Sequence, residues 1–148
     1  MNRLNWFEIA PDGAKALMGV HHYITKGTSL PEELIHLVFL RVSQINGCAH
    51  CIDLHTRDLL KTMPIDKVVL VPVWDEVPHL FSDQYRAALA WAEEVTNLSE
   101  THASDEAYAA VAEVFEAKDL VDLTLVIAAM NAFNRLGAPF RLPVAAKP

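Results

Sequence analysis

Apolar residues along the chain recur mainly at spacings of three and four, and no stretch alternates with period two over a convincing length. That pattern predicts an all-α protein. Residues 14–24 form a first helix that ends before Gly27. Ser29 then reads as an N-cap, with Pro31 in the first turn and Glu32 three residues on, so a second helix is expected from about Leu30 to Ile45. Asn46-Gly47 stops it, because both residues tolerate left-handed backbone. A third helix should start at the cysteines and run to about Lys61, ahead of Pro64. A short helical segment over Ile65–Val71 leads into a loop from Pro72 to Pro78 that carries Trp74. Ser82 caps a helix with Tyr85, Ala88, Leu89, Ala92 and Val95 on one stripe. Ser104 caps another, with Tyr108, Val111, Ala112 and Phe115 at the same spacing. The last helix, about Leu120 to Leu136, is apolar on nearly every side, which suits the centre of a bundle or an oligomer interface. Val68–Val73 is the one place a strand could hide. The pattern predicts six or seven helices. Residues 1–148 show no repeat, linker or low-complexity run, so they read as a single domain.

Composition narrows the function classes. The 148 residues are 52% hydrophobic and 21% charged, enough for a real core and unlike a disordered chain. A formal net charge of -7 argues against nucleic acid and against anionic membrane surfaces as partners. Glu8 and Asp12 fall where a secretory signal would be apolar. Asp122 and Thr124 interrupt the apolar run Leu120–Met130, which is then too short and too polar to span a bilayer. A cytoplasmic location is therefore expected. In that compartment a close cysteine pair is more often catalytic or metal-binding than a structural staple.

The chemistry concentrates in "SQINGCAHCIDLHTRDL", Ser43 to Leu59, which holds both cysteines, Cys48 and Cys51. A helix starting after Gly47 sets Cys48 in its first turn, where free amides and the positive end of the dipole stabilise a thiolate. A spacing of three brings Cys48 and Cys51 to one face. His55, four residues after Cys51, shares that face and can exchange protons with the pair. His50 lies off the stripe and either flanks the first turn or faces solvent. Three readings stay open: a redox pair, a metal site built from Cys48, Cys51 and His55, or two small buried hydrophobes.

Outside this segment, His21 and His22 end the first predicted helix and read as capping or solvent-exposed side chains, with the wall of a pocket as the competing use. Asn131 and Asn134, one turn apart on the most apolar helix, read as ties to neighbouring elements rather than substrate groups. Trp74, Trp91 and Phe133 read as core packing, with the wall of a cavity as the competing use. Arg41 and Gln44 either support a thiolate or hold the helix turn. Glu93 and Glu94 read as solvated.

The segment "LRVSQINGCAHCIDLHT" closely resembles the core motif of AhpD-like alkylhydroperoxidases of the carboxymuconolactone decarboxylase superfamily. Their pattern is a glutamate, eleven residues, Cys-x-x-Cys, three residues and a histidine. "YRAALAWAEEVT" and "DLVDLTLVIAAMNAFNRL" are similar to later helices of the same family, so the resemblance covers nearly the whole chain. It implies that Cys51 attacks peroxide, that Cys48 resolves the product as a disulfide and donates a proton, and that His55 is the relay histidine. His50 matches a histidine found between the cysteines in some members. The resemblance also implies an all-helical fold, homo-oligomers built as trimers or hexamers, no bound cofactor, a hydroperoxide substrate, and a dithiol reductant or redox partner protein. The branch that names the superfamily implies a competing decarboxylase or lactone chemistry, and a non-catalytic redox sensor is a third class. One position departs. Where the pattern has glutamate the chain has His36, with Glu32 and Glu33 upstream and out of register. Histidine can shuttle protons but supplies no fixed negative charge. Dipole reasoning favours Cys48 as the more acidic thiol, whereas the resemblance gives the attack to Cys51.

Overall fold

The computed structural model describes residues 3–147 and contains no strand among them. Helices run in the order α1 (Trp6–Ile9), α2 (Pro11–Lys26), α3 (Glu32–Asn46), α4 (Ala49–Leu59), α5 (Ile65–Val68), α6 (Asp83–Thr96), α7 (Leu98–Thr101), α8 (Asp105–Ala112) and α9 (Ala117–Phe140). Turns of 3-10 helix over Val71–Glu76 and Pro78–Leu80 join α5 to α6. The fold is all-α, as the spacing predicts. Six helices are of eight residues or more, and α1, α5 and α7 are single turns.

Helix α3 lies at the centre and packs on α4, α6 and α9. Leu34, Ile35, Leu37, Val38, Phe39, Leu40 and Val42 are all buried, so the helix is covered on most of its circumference. Each such side chain contributes about 1.5–3 kcal/mol through burial. The start of α3 differs from the expected one. Leu30 precedes a proline, which disfavours helical backbone there. Pro31 therefore takes the N-cap position with ψ 137°, and Glu32 opens the helix. Ser29 caps nothing; its hydroxyl donates to Asp119 Oδ1 at the start of α9. The other end behaves as expected, with Gly47 in the left-handed region at φ 67°.

Ser82 and Ser104 cap α6 and α8 by accepting from the Tyr85 and Ala107 amides. On α8 only half of the expected stripe is buried: Val111 is, while Tyr108 is 55% exposed and meets the Trp91 ring edge-on. The Val68–Val73 run forms the end of α5 and a 3-10 turn, because Pro72 denies the ladder a donor.

Helix α9 is longer than expected. By length and composition it could cross a membrane, but half of its most apolar window is buried inside the fold, where it packs on α2, α3, α4, α6 and α8. Asp122, 1% exposed, is satisfied by the Tyr23 hydroxyl at 2.9 Å and by Lys118. Asn46 Nδ2 donates to Asn131 Oδ1 (3.0 Å) and Asn134 Oδ1 (2.9 Å), and Asn134 Nδ2 donates to Ser43 Oγ (3.0 Å). These amides tie α9 to α3, as read from the sequence. Glu93 corrects an expectation: it accepts from Arg41 Nε (2.7 Å) and Trp74 Nε1 (2.8 Å), so it anchors the 3-10 turn instead of facing solvent. Glu94 likewise accepts from the Ser104 amide at 3.0 Å. Arg41 is thereby committed away from the cysteines.

Candidate active site

The left-handed turn at Gly47 reverses the chain so that α4 starts immediately after α3. Cys48 falls one position earlier than expected, at the N-cap of α4, with extended backbone at φ -88°, ψ 96°. Its sulfur accepts weakly from the Cys51 amide at 3.4 Å, the place a serine or aspartate oxygen would occupy. Cys48 and Cys51 are joined as a disulfide, with Cα atoms 5.3 Å apart. The packing reading is therefore incomplete: both sulfurs are buried, at 0% and 4% exposure, but they are bonded to each other.

Helix α9 backs the disulfide. A Cβ built on Gly137 would lie 2.8 Å from Cys48 Sγ and 3.2 Å from Cys51 Sγ, so only glycine lets the helix come this close. Gly137 is an isolated glycine inside an apolar helix, which in the sequence is a usable signal for close packing.

A cavity of about 240 Å³ opens in front of Cys51. Cys51, His50, His55 and His21 contribute to its wall, with apolar cover from Trp6, Phe7, Met18, Leu54, Met130, Phe133 and Leu142. Cys48 is absent from that wall and fully buried. Access therefore separates two thiols that dipole reasoning ranks the other way. Phe133 lines the cavity, so for this aromatic the competing use is the observed one. Trp91 stays in the core, its indole donating to Thr124 Oγ1 at 3.0 Å.

His55 is 5% exposed and packs on Phe39 with ring centroids 4.8 Å apart. Its Nδ1 is buried without a hydrogen-bond partner. Burial, followed by the neighbouring His36 charge, pushes its pKa down to about 3, with Asp58 pulling the other way. The ring is therefore neutral at pH 7 in this oxidised state. His36 sits behind it, ring centroids 5.9 Å apart, so the two motif histidines are brought together. His36 Nε2 lies 3.7 Å from Glu32 Oε1, and its Nδ1 lies 3.9 Å from Asp58 Oδ2. His50 flanks the first turn of α4; its Nδ1–H donates to the Pro143 carbonyl and so ties the turn to the C-terminal segment.

For His21 the competing use is the observed one. Instead of capping α2 it faces the cavity, stacked on Phe39 at 5.9 Å and edge-on to Phe133 at 5.9 Å. Burial, then the His36 charge, lowers its pKa. No local pattern announces this, because the contact joins α2 to α3 and α9. Nor does a local pattern announce Asp58. Its carboxylate accepts from Lys61 Nζ at 2.6 Å. Burial works against its charge, yet the Lys61 hydrogen bond and the charges of His36 and Lys61 together hold its pKa below the ordinary value.

The alternative metal set of Cys48, Cys51 and His55 does not fit this oxidised pair, since disulfide sulfurs offer no thiolate ligand. His36, His55 and Asp58 do present one donor each, within 4.8 Å of one another. A tetrahedral zinc with bonds of about 2.0–2.2 Å holds its ligands roughly 3.4 Å apart, so this trio is too open as it stands.

An all-α bundle that presents a Cys-x-x-Cys disulfide at a helix start, with a buried histidine one turn on, defines an AhpD-like fold class. The family model described as "Carboxymuconolactone decarboxylase family" matches residues 11–94, and the chain belongs to that family. The uncharacterized protein YdfG of Bacillus subtilis is 36% identical over 135 residues, covering 90% of each chain. The crystal structure of ATU0492 from Agrobacterium tumefaciens, a protein of unknown function provisionally assigned as an antioxidant defence protein AhpD, superposes with a TM-score of 0.93. It is 33% identical, and the match covers 99% of this chain and 100% of that one. A variant of the debrominase Bmp8, solved in complex with 2,3,4-tribromopyrrole, shares the fold at TM-score 0.81 and 23% identity, covering 94% of this chain and 74% of its own.

Proposed function

We propose that the protein is a thiol-dependent hydroperoxide reductase that cycles through the Cys48–Cys51 disulfide. One observation carries this reading: within a bonded pair, only Cys51 meets an apolar cavity, and His55 shares that wall. In the reduced enzyme the Cys51 proton passes to His55. The thiolate attacks the outer peroxide oxygen, the O–O bond breaks, and the alkoxide leaves as an alcohol after taking a proton. Cys51 is then a sulfenic acid. Cys48 attacks its sulfur, water leaves, and the disulfide forms. A dithiol reductant or redox partner protein returns two electrons and two protons, and no bound cofactor takes part. The buried position of Cys48 suits a resolving thiol, which needs contact with Cys51 alone. Exposed Val121 and Leu125 on α9, near exposed Tyr108, support self-association, and the trimer or hexamer is what the family resemblance implies.

The test is hydroperoxide consumption with a dithiol reductant, comparing wild type, Cys48→Ser and Cys51→Ser. Loss of multiple turnover in both variants is expected. Retained hydroperoxide turnover in Cys48→Ser means that the dithiol reduces the Cys51 sulfenic acid directly and removes Cys48 as the resolving thiol, whereas retained turnover in Cys51→Ser ends the reading. A wild type that forms the disulfide but never turns over is a redox sensor.

A further inference from the structure

Asp58 follows His55 by three residues on α4, so the helix sets both on one face. From there its carboxylate reaches His36 on α3, at 3.9 Å from Nδ1. That distance is too long for a hydrogen bond to a neutral ring but short enough to pair with a charged one. Lys61 fixes the other carboxylate oxygen, so Asp58 is held in place. Beyond His36 stands Glu32, whose side chain is 89% exposed. Cys51, His55, His36 and Glu32 thus lead from the cavity wall, past a buried and then a mostly buried imidazole, to the surface. The donor atoms of His36 and His55 lie within 4.8 Å of each other, a gap that one bridging water closes.

The charged and titratable groups around this path are few. His21 faces it from α2, Glu32 and His36 belong to α3, His50, His55 and Asp58 belong to α4, and Lys61 follows just beyond its end. A proton entering on His55 meets burial and three histidines that oppose it, His36, His21 and His50. Asp58 is the group that favours it.

We propose that Asp58 is a positioning carboxylate for a proton path from Cys51 through His55 and His36 to Glu32, pairing with His36 whenever that ring carries the proton. No electrons move along the path. Cys51 loses one proton to His55, His55 hands one to His36, and His36 releases one to Glu32 and solvent. The path rests on the proposed role of Cys51 as the reacting thiol, but it needs only proton removal from that thiol and no peroxide.

The test therefore has arms that do not use peroxide. In a reduced Cys48→Ser background, iodoacetamide alkylation of Cys51 at pH 7 slows about tenfold on Asp58→Asn and is partly restored by Asp58→Glu. Carboxyl-carbon NMR of His36→Gln, with Lys61 intact, shows the Asp58 titration midpoint moving up toward the ordinary carboxylate range. In the peroxide assay Asp58→Asn lowers kcat by a similar factor and leaves KM unchanged. An Asp58 midpoint that ignores His36→Gln, or a Cys51 alkylation rate that ignores Asp58→Asn, overturns the proposal. If Asp58→Asn fails to fold, the His36→Gln titration still decides. A wild type that consumes no hydroperoxide, with both peroxide-free arms as expected, ends the peroxidase reading and leaves the proton path standing.

Discussion

Replacing Gly137 by alanine sets a methyl carbon 2.8 Å from Cys48 Sγ and 3.2 Å from Cys51 Sγ. A carbon and a sulfur in ordinary contact stand roughly 3.5–4 Å apart, so the overlap approaches 1 Å. Neither partner gives way easily. The sulfurs are tied to each other and to the start of α4, and the glycine sits in the helix that anchors the bundle. Forcing a methyl group into such a site costs about 1–3 kcal/mol. Alanine also returns about 1 kcal/mol over glycine in a helix interior. The net effect in the oxidised protein is a loss of roughly 0–2 kcal/mol. Gly19, in the middle of α2, supplies the reference: a Cβ there meets nothing within 4 Å, so Gly19→Ala gains the helical term alone. Urea unfolding of the two oxidised variants should place Gly137→Ala about 1–3 kcal/mol below Gly19→Ala. Turnover should fall at least tenfold in Gly137→Ala, because the sulfurs are displaced. Equal stabilisation of both variants, with full turnover, would show that the sulfurs do not lean on α9.

Three other outcomes follow from the same geometry. His55 has its pKa lowered to about 3 from 6.5, so the unfolded chain takes up a proton as pH falls below 6.5 while the folded one does not. Stability is whole above that range and is lost progressively down to about 3; urea unfolding across this window should fall more steeply in wild type than in His55→Leu. Asn134→Ala leaves Asn46 and Ser43 short of partners and should cost about 1–3 kcal/mol by the same assay. Ser82→Ala removes the cap on α6 and should cost about 1 kcal/mol by the same unfolding assay.

Much of this was legible in the sequence, for identifiable reasons. Helical spacing and the Asn46-Gly47 stop are local signals, and they placed the α3–α4 corner on which the cysteines sit. The position of His36 relative to Cys48 depends only on that corner, so its approach to His55 could be anticipated. Ser29 misled because a local capping pattern competed with Pro31, whose effect on Leu30 decides the helix start. The roles of His21, Asp58, Gly137 and Glu93 are not decided by local sequence, for a different reason. Each acquires its role from another helix: His21 from Phe39 and Phe133, Asp58 from His36, Gly137 from the sulfurs, and Glu93 from Arg41 and Trp74. Periodicity reports which face of a helix is buried and says nothing of what lies opposite. Tyr108 shows the converse: it fits its stripe, yet that part of the stripe lies outside the core of this chain.

The most direct measurement follows Cys51 by mass spectrometry after one equivalent of hydroperoxide is added to reduced Cys48→Ser protein in the presence of a sulfenic-acid trap. The account predicts a trap adduct on the Cys51 sulfur, and a much slower reaction at Cys48 in the Cys51→Ser protein. An unmodified Cys51, or preferential oxidation of Cys48, would contradict it.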